Sequence, residues 1–330
     1  KSWTNYSYYF GATETNLEEI KKLNPKETCG LKVFMGTSTG TLLVEDDFAL
    51  EQIFQFCPVT IVTHCEDNET IKNNSDKVNS QNQTLKASFH PIIRDDLCCY
   101  KSSSKVIDLA KKYSSDLHVL HLTTEKEIKL FENIDLKNKK ITCEVCVHHL
   151  WFDESDYEKL GNFIVCNPAI KKVSDRNALR KALKDGFIDY VATDHAPHSY
   201  EDKKLPYGKA PAGIPLIEHS FHMMIELHKQ GHYSLNEVIS YMSHKVADRF
   251  SIQDRGYIRE GYKADLMMFD LEKTTPVTNK TEKTKCGWTP FDGQTFSSTV
   301  LGTIINGKPI VVDGKLTGDS SSAEQILFDR

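Results

Sequence analysis

The chain has 330 residues, 39% of them hydrophobic and 26% charged, which is ordinary for a soluble globular protein and enough for one large domain plus a small one. A net charge of −5 with no long basic run excludes a nucleic-acid surface, and no stretch approaches the roughly 18 apolar residues of a membrane span. Nine scattered cysteines, an odd number, and a start without the charged-then-apolar layout of a signal peptide point to a reducing cytoplasm rather than a disulfide framework.

In chain order, "NYSYYFGAT" reads as a first strand, followed by "TNLEEIKKLN" with Thr15 and Glu18 at capping-box spacing. "GLKVFMG" is a second strand, "DDFALEQIFQF" a helix and "VTIVTHCED" a third strand. The polar stretch 67–86 reads as an exposed helix-and-loop excursion, and "SSSKVIDLAKKY" as a helix. "LHVLHLT" is a strand whose following helix is capped by Thr124 with Glu127, and "ITCEVCVHH" is another strand. "SDRNALRKALKDG" is a helix with Ser174 at its N-cap and Gly186 just past its end, "DYVATDHAP" is the sixth strand, and Ser234 with Glu237 opens a later helix. Strand then helix, six times, predicts parallel strands with helices outside. From about Gly256 the texture changes to short strands with Asn-Gly and Asp-Gly hairpin signals. The expected division is therefore a barrel-type domain over 1–255 and a small β domain over 256–330.

The unusual polar residues fall on these strands or at their carboxyl ends: Lys32, His64, His121 and Asp194. In a parallel barrel that end is the reactive face. Imidazole and carboxylate are zinc ligands, and a carboxylate can also take a proton from a metal-activated water. A lysine in an apolar strand has a depressed pKa, so its neutral amine can react with carbon dioxide to give an anionic, bridging carbamate. His118 lies three positions from His121, which by strand alternation sends it to the opposite face as a structural residue. His148 and His149 are adjacent, so at most one faces the site. His228 to His232 lacks the Glu of a metalloprotease helix, and Cys143 with Cys146 is a lone pair inside a strand, neither redox motif nor zinc knuckle.

With these residues placed, the chain resembles the dihydroorotases of the amidohydrolase superfamily. The resemblance is carried, in order, by "YYFGAT", "GLKVFMGTSTG", "THCED", "HPIIRDDLCCYKSSS", "EVCVHHLWF", "NPAIK", "ATDHAPH" and "KCGWTPFDG". It implies a (β/α)8 TIM-type barrel with a small β-sandwich domain formed by the termini. It also implies two zinc ions bridged by carboxylated Lys32, with His64 and His121 on one ion and Asp194 on the other. Asp194 would be the catalytic group, carrying a proton to the leaving nitrogen, while Asn167, His198 and the backbone at Gly213 would bind a small-molecule substrate. The implied reaction is the reversible interconversion of L-dihydroorotate and N-carbamoyl-L-aspartate in pyrimidine biosynthesis, and a homodimer is compatible with it.

The departure from the family pattern is specific. Members carry a His-x-His pair at the end of the first barrel strand, and these 330 residues contain none. About six of the eight strands are recognisable, so roughly two β/α units and part of the small domain are expected from elsewhere. Dihydropyrimidinases and allantoinases share the implied metal centre and are the rival enzymes. A non-catalytic scaffold is the rival of a different class, against which the presence of Lys32, His64, His121 and Asp194 weighs.

Overall fold

A computed structural model describes residues 2–36, 42–81, 84–318 and 322–330. Six strands, β1 (Tyr9–Gly11), β2 (Gly30–Phe34), β3 (Ile61–His64), β4 (Leu117–Val119), β5 (Ile141–Cys146) and β6 (Tyr190–Ala192), form one sheet in sequence order. Every adjacent pair is parallel. Both faces of such a sheet are covered, so the strands read as apolar runs. Leu31, Val33, Ile61, Leu117, Val119, Cys143 and Val145 pack on the helix side. Their partners include Leu50, Ile53 and Phe54 of the helix Asp47–Phe56, Val106 and Ile107 of Asp96–Tyr113, and Leu179 and Leu183 of Val173–Asp185. Each such side chain contributes about 1.5–3 kcal/mol by leaving water.

The register puts Lys32, Val62, His118 and Thr142 in one row on the other face, with Glu144 beside Tyr190. That face is closed at the strand starts. Phe250 and Phe328 pack on Val62 and Tyr190. Arg249 forks onto Asp116 at 2.8 and 3.3 Å, and Arg330 donates to the carbonyls of Cys29 and Phe250 at 3.0 Å each. The strand ends, where His64 lies, are left for the site. This is the expected partial barrel: six consecutive parallel strands with helices on one side.

The helix at Asp47 begins where Asp46 accepts the Ala49 N–H at 2.7 Å, and Thr124, Ser234 and Gly186 (φ 86°) take the capping positions expected of them. Two caps differ. Asn16 replaces Thr15, because its amide spans from the Thr13 N–H to the Gly11 carbonyl (2.9 Å each) and leaves a helix of only Leu17–Ile20. Ser174 lies inside its helix, which starts at Val173. Asp175 accepts from the Lys172 and Glu125 N–H groups at 3.3 and 3.0 Å, and a carboxylate outcompetes the hydroxyl there.

Beyond residue 256, β7 (Leu266–Asp270), β10 (Thr299–Ile305), β11 (Lys308–Val312) and β12 (Lys315–Leu316) form an antiparallel sheet, with β8 (Thr275–Pro276) and β9 (Thr295–Phe296) as a separate ribbon. Asn306-Gly307 and Asp313-Gly314 all have positive φ, the type I′ geometry their sequence predicts. Both ends of the chain meet this sheet. Asn5 donates to Asp265 at 2.8 Å and accepts from Asn306 and Glu324, while Tyr6 bridges Gln325. Among the described residues no helix is long and apolar enough to cross a membrane.

Candidate functional site

Three of the four expected ligands sit where strands end. His64 is the last residue of β3; His121 and Asp194 each lie two residues beyond β4 and β6. His121 (φ 41°) and Asp194 (φ 43°) are both in the left-handed region, which costs a non-glycine residue on the order of 1–3 kcal/mol. The turn takes each residue out of the strand's alternation, with His121 against His64 and Asp194 near enough to feel Lys32 and His64. His64 Nδ1 and His121 Nε2 face each other at 3.0 Å, and both rings are buried.

The proton positions follow from the neighbours. His64 Nε2 lies 3.0 Å from Glu66, whose carboxyl is held at about 2: burial opposes ionisation, but Arg94 and His64 overcome it. An ionised Glu66, also ion-paired to Arg94, keeps the proton on Nε2 and leaves Nδ1 with a free lone pair. Burial, reinforced by His64 and Lys32, holds His121 well below the ordinary histidine range, so it is neutral. Two zinc–nitrogen bonds of about 2.0–2.1 Å at a tetrahedral angle place their nitrogens about 3.3 Å apart. The pair therefore fits a divalent ion, and His121 Nδ1 has no partner of its own among the described residues.

Lys32 points from the same face of β2, its ammonium 4.5 Å above the Phe34 ring. Burial lowers its pKa, although Asp194 and Glu144 favour the charged form. Asp194 is open to solvent, yet enough protein surrounds it that burial raises its carboxyl against the pull of Lys32 and His64. The four residues thus share one electrostatic neighbourhood.

The expected substrate contacts form a second group along the chain that follows. Asn167 accepts from His90 Nε2 at 3.0 Å, and His90 Nδ1 meets the Tyr207 hydroxyl at 2.8 Å. Burial pushes His90 down to about 4, so it stays neutral. His198 Nε2 bonds the Ala212 carbonyl at 2.9 Å, and Trp288 Nε1 donates to the His198 carbonyl at 2.8 Å. Gly213 has φ 144°, and a Cβ there would lie 2.3 Å from the Ala196 oxygen and 2.9 Å from the His198 ring. Only glycine lets this backbone approach. His195 accepts from the Leu216 and Ile217 N–H groups at 3.1 and 3.2 Å, joining the two halves of the loop. Lys203, fully buried, donates to the carbonyls of Val165, Pro211 and Gly213 at 3.3, 2.8 and 3.0 Å, and burial lowers it to about 8.

Two readings of the histidines are corrected. His118 is on the same face as Lys32, because β4 ends at Val119 and His121 follows a left-handed turn that strand alternation does not govern. It is tied into the sheet by Thr142, Glu144 and Tyr190 at 2.9, 3.3 and 2.7 Å. His148 and His149 are both buried with rings 4.1 Å apart, since the chain turns helical over Val147–Trp151 and adjacent side chains no longer oppose one another. Cys146, the last residue of β5, is also the residue from which that helix starts, and burial pushes His148 down to about 3. Glu66 and Arg94, which orient His64, carried no signal beyond their place in "THCED" and "HPIIRDD".

Residues 55–310 match the family described as "Amidohydrolase family". A dihydroorotase of Bacillus pumilus is 33% identical over 265 residues, covering 78% of this chain and 59% of that protein. One from Methanothermobacter thermautotrophicus is 27% identical over 304 residues, covering 91% and 67%. This chain thus spans about three-fifths to two-thirds of the length of these relatives. Among solved structures, the L-hydantoinase (dihydropyrimidinase) of Arthrobacter aurescens superposes with a TM-score of 0.91 at 23% identity, over 98% of this chain and 74% of that one. The dihydropyrimidinase of Brevibacillus agri gives 0.89 at 22%, over 100% and 75%. At that identity the likeness is one of fold.

Proposed function

Because the chain belongs to the amidohydrolase family, we propose that it carries the larger part of a dihydroorotase site, opening and closing the ring between L-dihydroorotate and N-carbamoyl-L-aspartate. The observation that carries the reading is the pair of left-handed residues at strand ends, His121 and Asp194, in one electrostatic neighbourhood with His64 and Lys32. His64 and His121 would hold one zinc ion, Lys32 as its carbamate would bridge to a second, and Asp194 would complete that second site. Bound there, the ions would supply an activated water and polarise the ring carbonyl.

The protein's own groups do the rest. The lowered pKa of Lys32 makes an unprotonated amine available for carbamate formation. Asp194, with a raised pKa, suits a group that accepts a proton and hands it to the leaving ring nitrogen. Asn167, held by His90, and His198, held by Ala212 and Trp288, would fix the ring's polar edge, and the Gly213 backbone would pack on it. Nine free cysteines suit a reducing compartment such as the cytoplasm.

The structural likeness to dihydropyrimidinases makes other cyclic amides the second reading. Purified, zinc-loaded full-length protein would be assayed for ring opening of dihydroorotate, dihydrouracil, hydantoin and allantoin. We expect kcat/KM for dihydroorotate to exceed the others by more than tenfold, about 1.4 kcal/mol of barrier. A preference for another ring would transfer the assignment to that substrate, and no turnover of any would favour the scaffold.

A further inference from the structure

Outside the His64–His121 pair, we propose that Cys146, His148 and His149 form a second kind of metal site, a thiolate with two imidazoles for a zinc-class divalent ion. At the end of β5 the chain passes from strand to helix at Val147, which brings Cys146 and two consecutive histidines round to one place. One ligand atom from each lies within 4.8 Å of the other two, and all three side chains are buried, at 0%, 1% and 3% exposure.

The hydrogen-bond accounting points to an ion. His149 Nε2 faces the Pro168 carbonyl at 3.1 Å, so its proton is there and Nδ1 keeps a lone pair. Among the described residues that Nδ1 has no partner, and neither nitrogen of His148 has one. Three unpartnered ring nitrogens in one buried cluster are unusual, because native structures leave few buried polar groups unpaired. An ion bound to His149 Nδ1 and one nitrogen of His148 satisfies two of the three. Zinc–sulfur and zinc–nitrogen bonds of about 2.3 and 2.0–2.1 Å suit this donor set, and they draw ligand atoms that now lie within 4.8 Å of one another in to about 3.3–3.6 Å. Binding displaces the Cys146 thiol proton to solvent, so each ion adds one net positive charge. Asp194 and Glu144 lie close enough to act on Cys146 and partly offset it.

The other cluster of this type among the described residues, Glu66 with Cys98 and Cys99, is different. Arg94 and His64 already engage Glu66, and the Lys171 ammonium is 3.5 Å from Cys99 Sγ, so cationic groups already occupy it.

Cobalt(II) separates the sites, because only a thiolate ligand gives a sulfur-to-cobalt charge-transfer band. Chelator-stripped full-length protein titrated with cobalt should develop that band. It should persist in His64→Ala, which disables the imidazole pair, and vanish in Cys146→Ser. His148→Gln should weaken cobalt binding, read from the same band, by at least tenfold, and it carries the test if the serine variant does not fold. No thiolate band in the parent protein, a band that survives Cys146→Ser, or unchanged affinity in His148→Gln would each overturn the proposal.

Discussion

At the scale of single residues, Asp194 shows how backbone and chemistry are coupled. Its φ of 43° is one that Asn also tolerates, so Asp194→Asn keeps the turn while removing the charge and the proton acceptor. We expect unchanged secondary structure and stability within about 0.5 kcal/mol, with activity reduced by several orders of magnitude. Turnover reduced less than about tenfold would remove Asp194 from the proton-transfer role. Lys32 makes a different demand, since a carbamate needs both carbon dioxide and a neutral amine. Lys32→Ala should lose metal, measured by elemental analysis, and added short carboxylic acids should restore part of the activity by occupying the bridge. Full metal content with normal turnover would rule the carbamate out.

Single elements are joined by ionisable pairs with opposite pH signs. Where the helix Ser220–Lys229 begins, His219 bonds Glu282 at 2.9 Å and Glu218 accepts the Lys283 N–H at 2.8 Å, tying the segment after β8 to the barrel. Burial and a hydrogen bond shared with Glu282 push Glu218 up to about 7 from 4.5. Glu282 goes the other way, to about 2: burial opposes ionisation, but His219 and Glu218 overcome it. A raised folded pKa means that Glu218 stabilises fully below about 4.5 and loses that contribution as pH rises through 7. Glu218→Gln keeps a donor toward Glu282 and removes the titration. Urea denaturation at pH 5, 6.5 and 8 should show wild-type stability falling relative to the variant with rising pH. Solvent screening at this partly open site limits the change to about 1 kcal/mol, and a wild-type stability that rises relative to the variant with increasing pH would contradict the shared proton.

Across the whole molecule, the six-stranded sheet has β1 and β6 as unpaired edges among the described residues, although a barrel closes its sheet on itself. The small sheet is equally open: Met267 and Met268, neighbours on opposite faces of β7, are 41% and 50% exposed. A cavity of about 950 Å³ lies between it and the barrel, with Ile217, Val311 and Leu316 among its walls. We therefore expect a chain of these 330 residues, expressed by itself, to self-associate and to be inactive on dihydroorotate. Supplying the two expected β/α units should restore monodispersity and turnover together. Light scattering and an activity assay decide this, and a monodisperse, monomeric 330-residue chain with ordinary turnover would refute it.

Local signals determined much of this. Apolar runs and caps placed all six parallel strands, because a strand buried on both faces leaves a plain hydrophobic stretch. The Asn-Gly and Asp-Gly pairs located the hairpins of the small sheet, since their backbone geometry is intrinsic to those residues. Lys32, His64, His121 and Asp194 stood out as polar residues where a strand should be apolar. What tertiary structure alone decided is how side chains meet across the sheet. The facing nitrogens of His64 and His121 come from strands 57 residues apart, and the Glu66–Arg94 support behind them depends on packing that no local period encodes. His118 and the His148–His149 pair were misplaced for one physical reason. Strand alternation holds only while the strand lasts, and the chain leaves it at Val119 and again at Cys146, where a left-handed turn and a short helix redirect every side chain that follows.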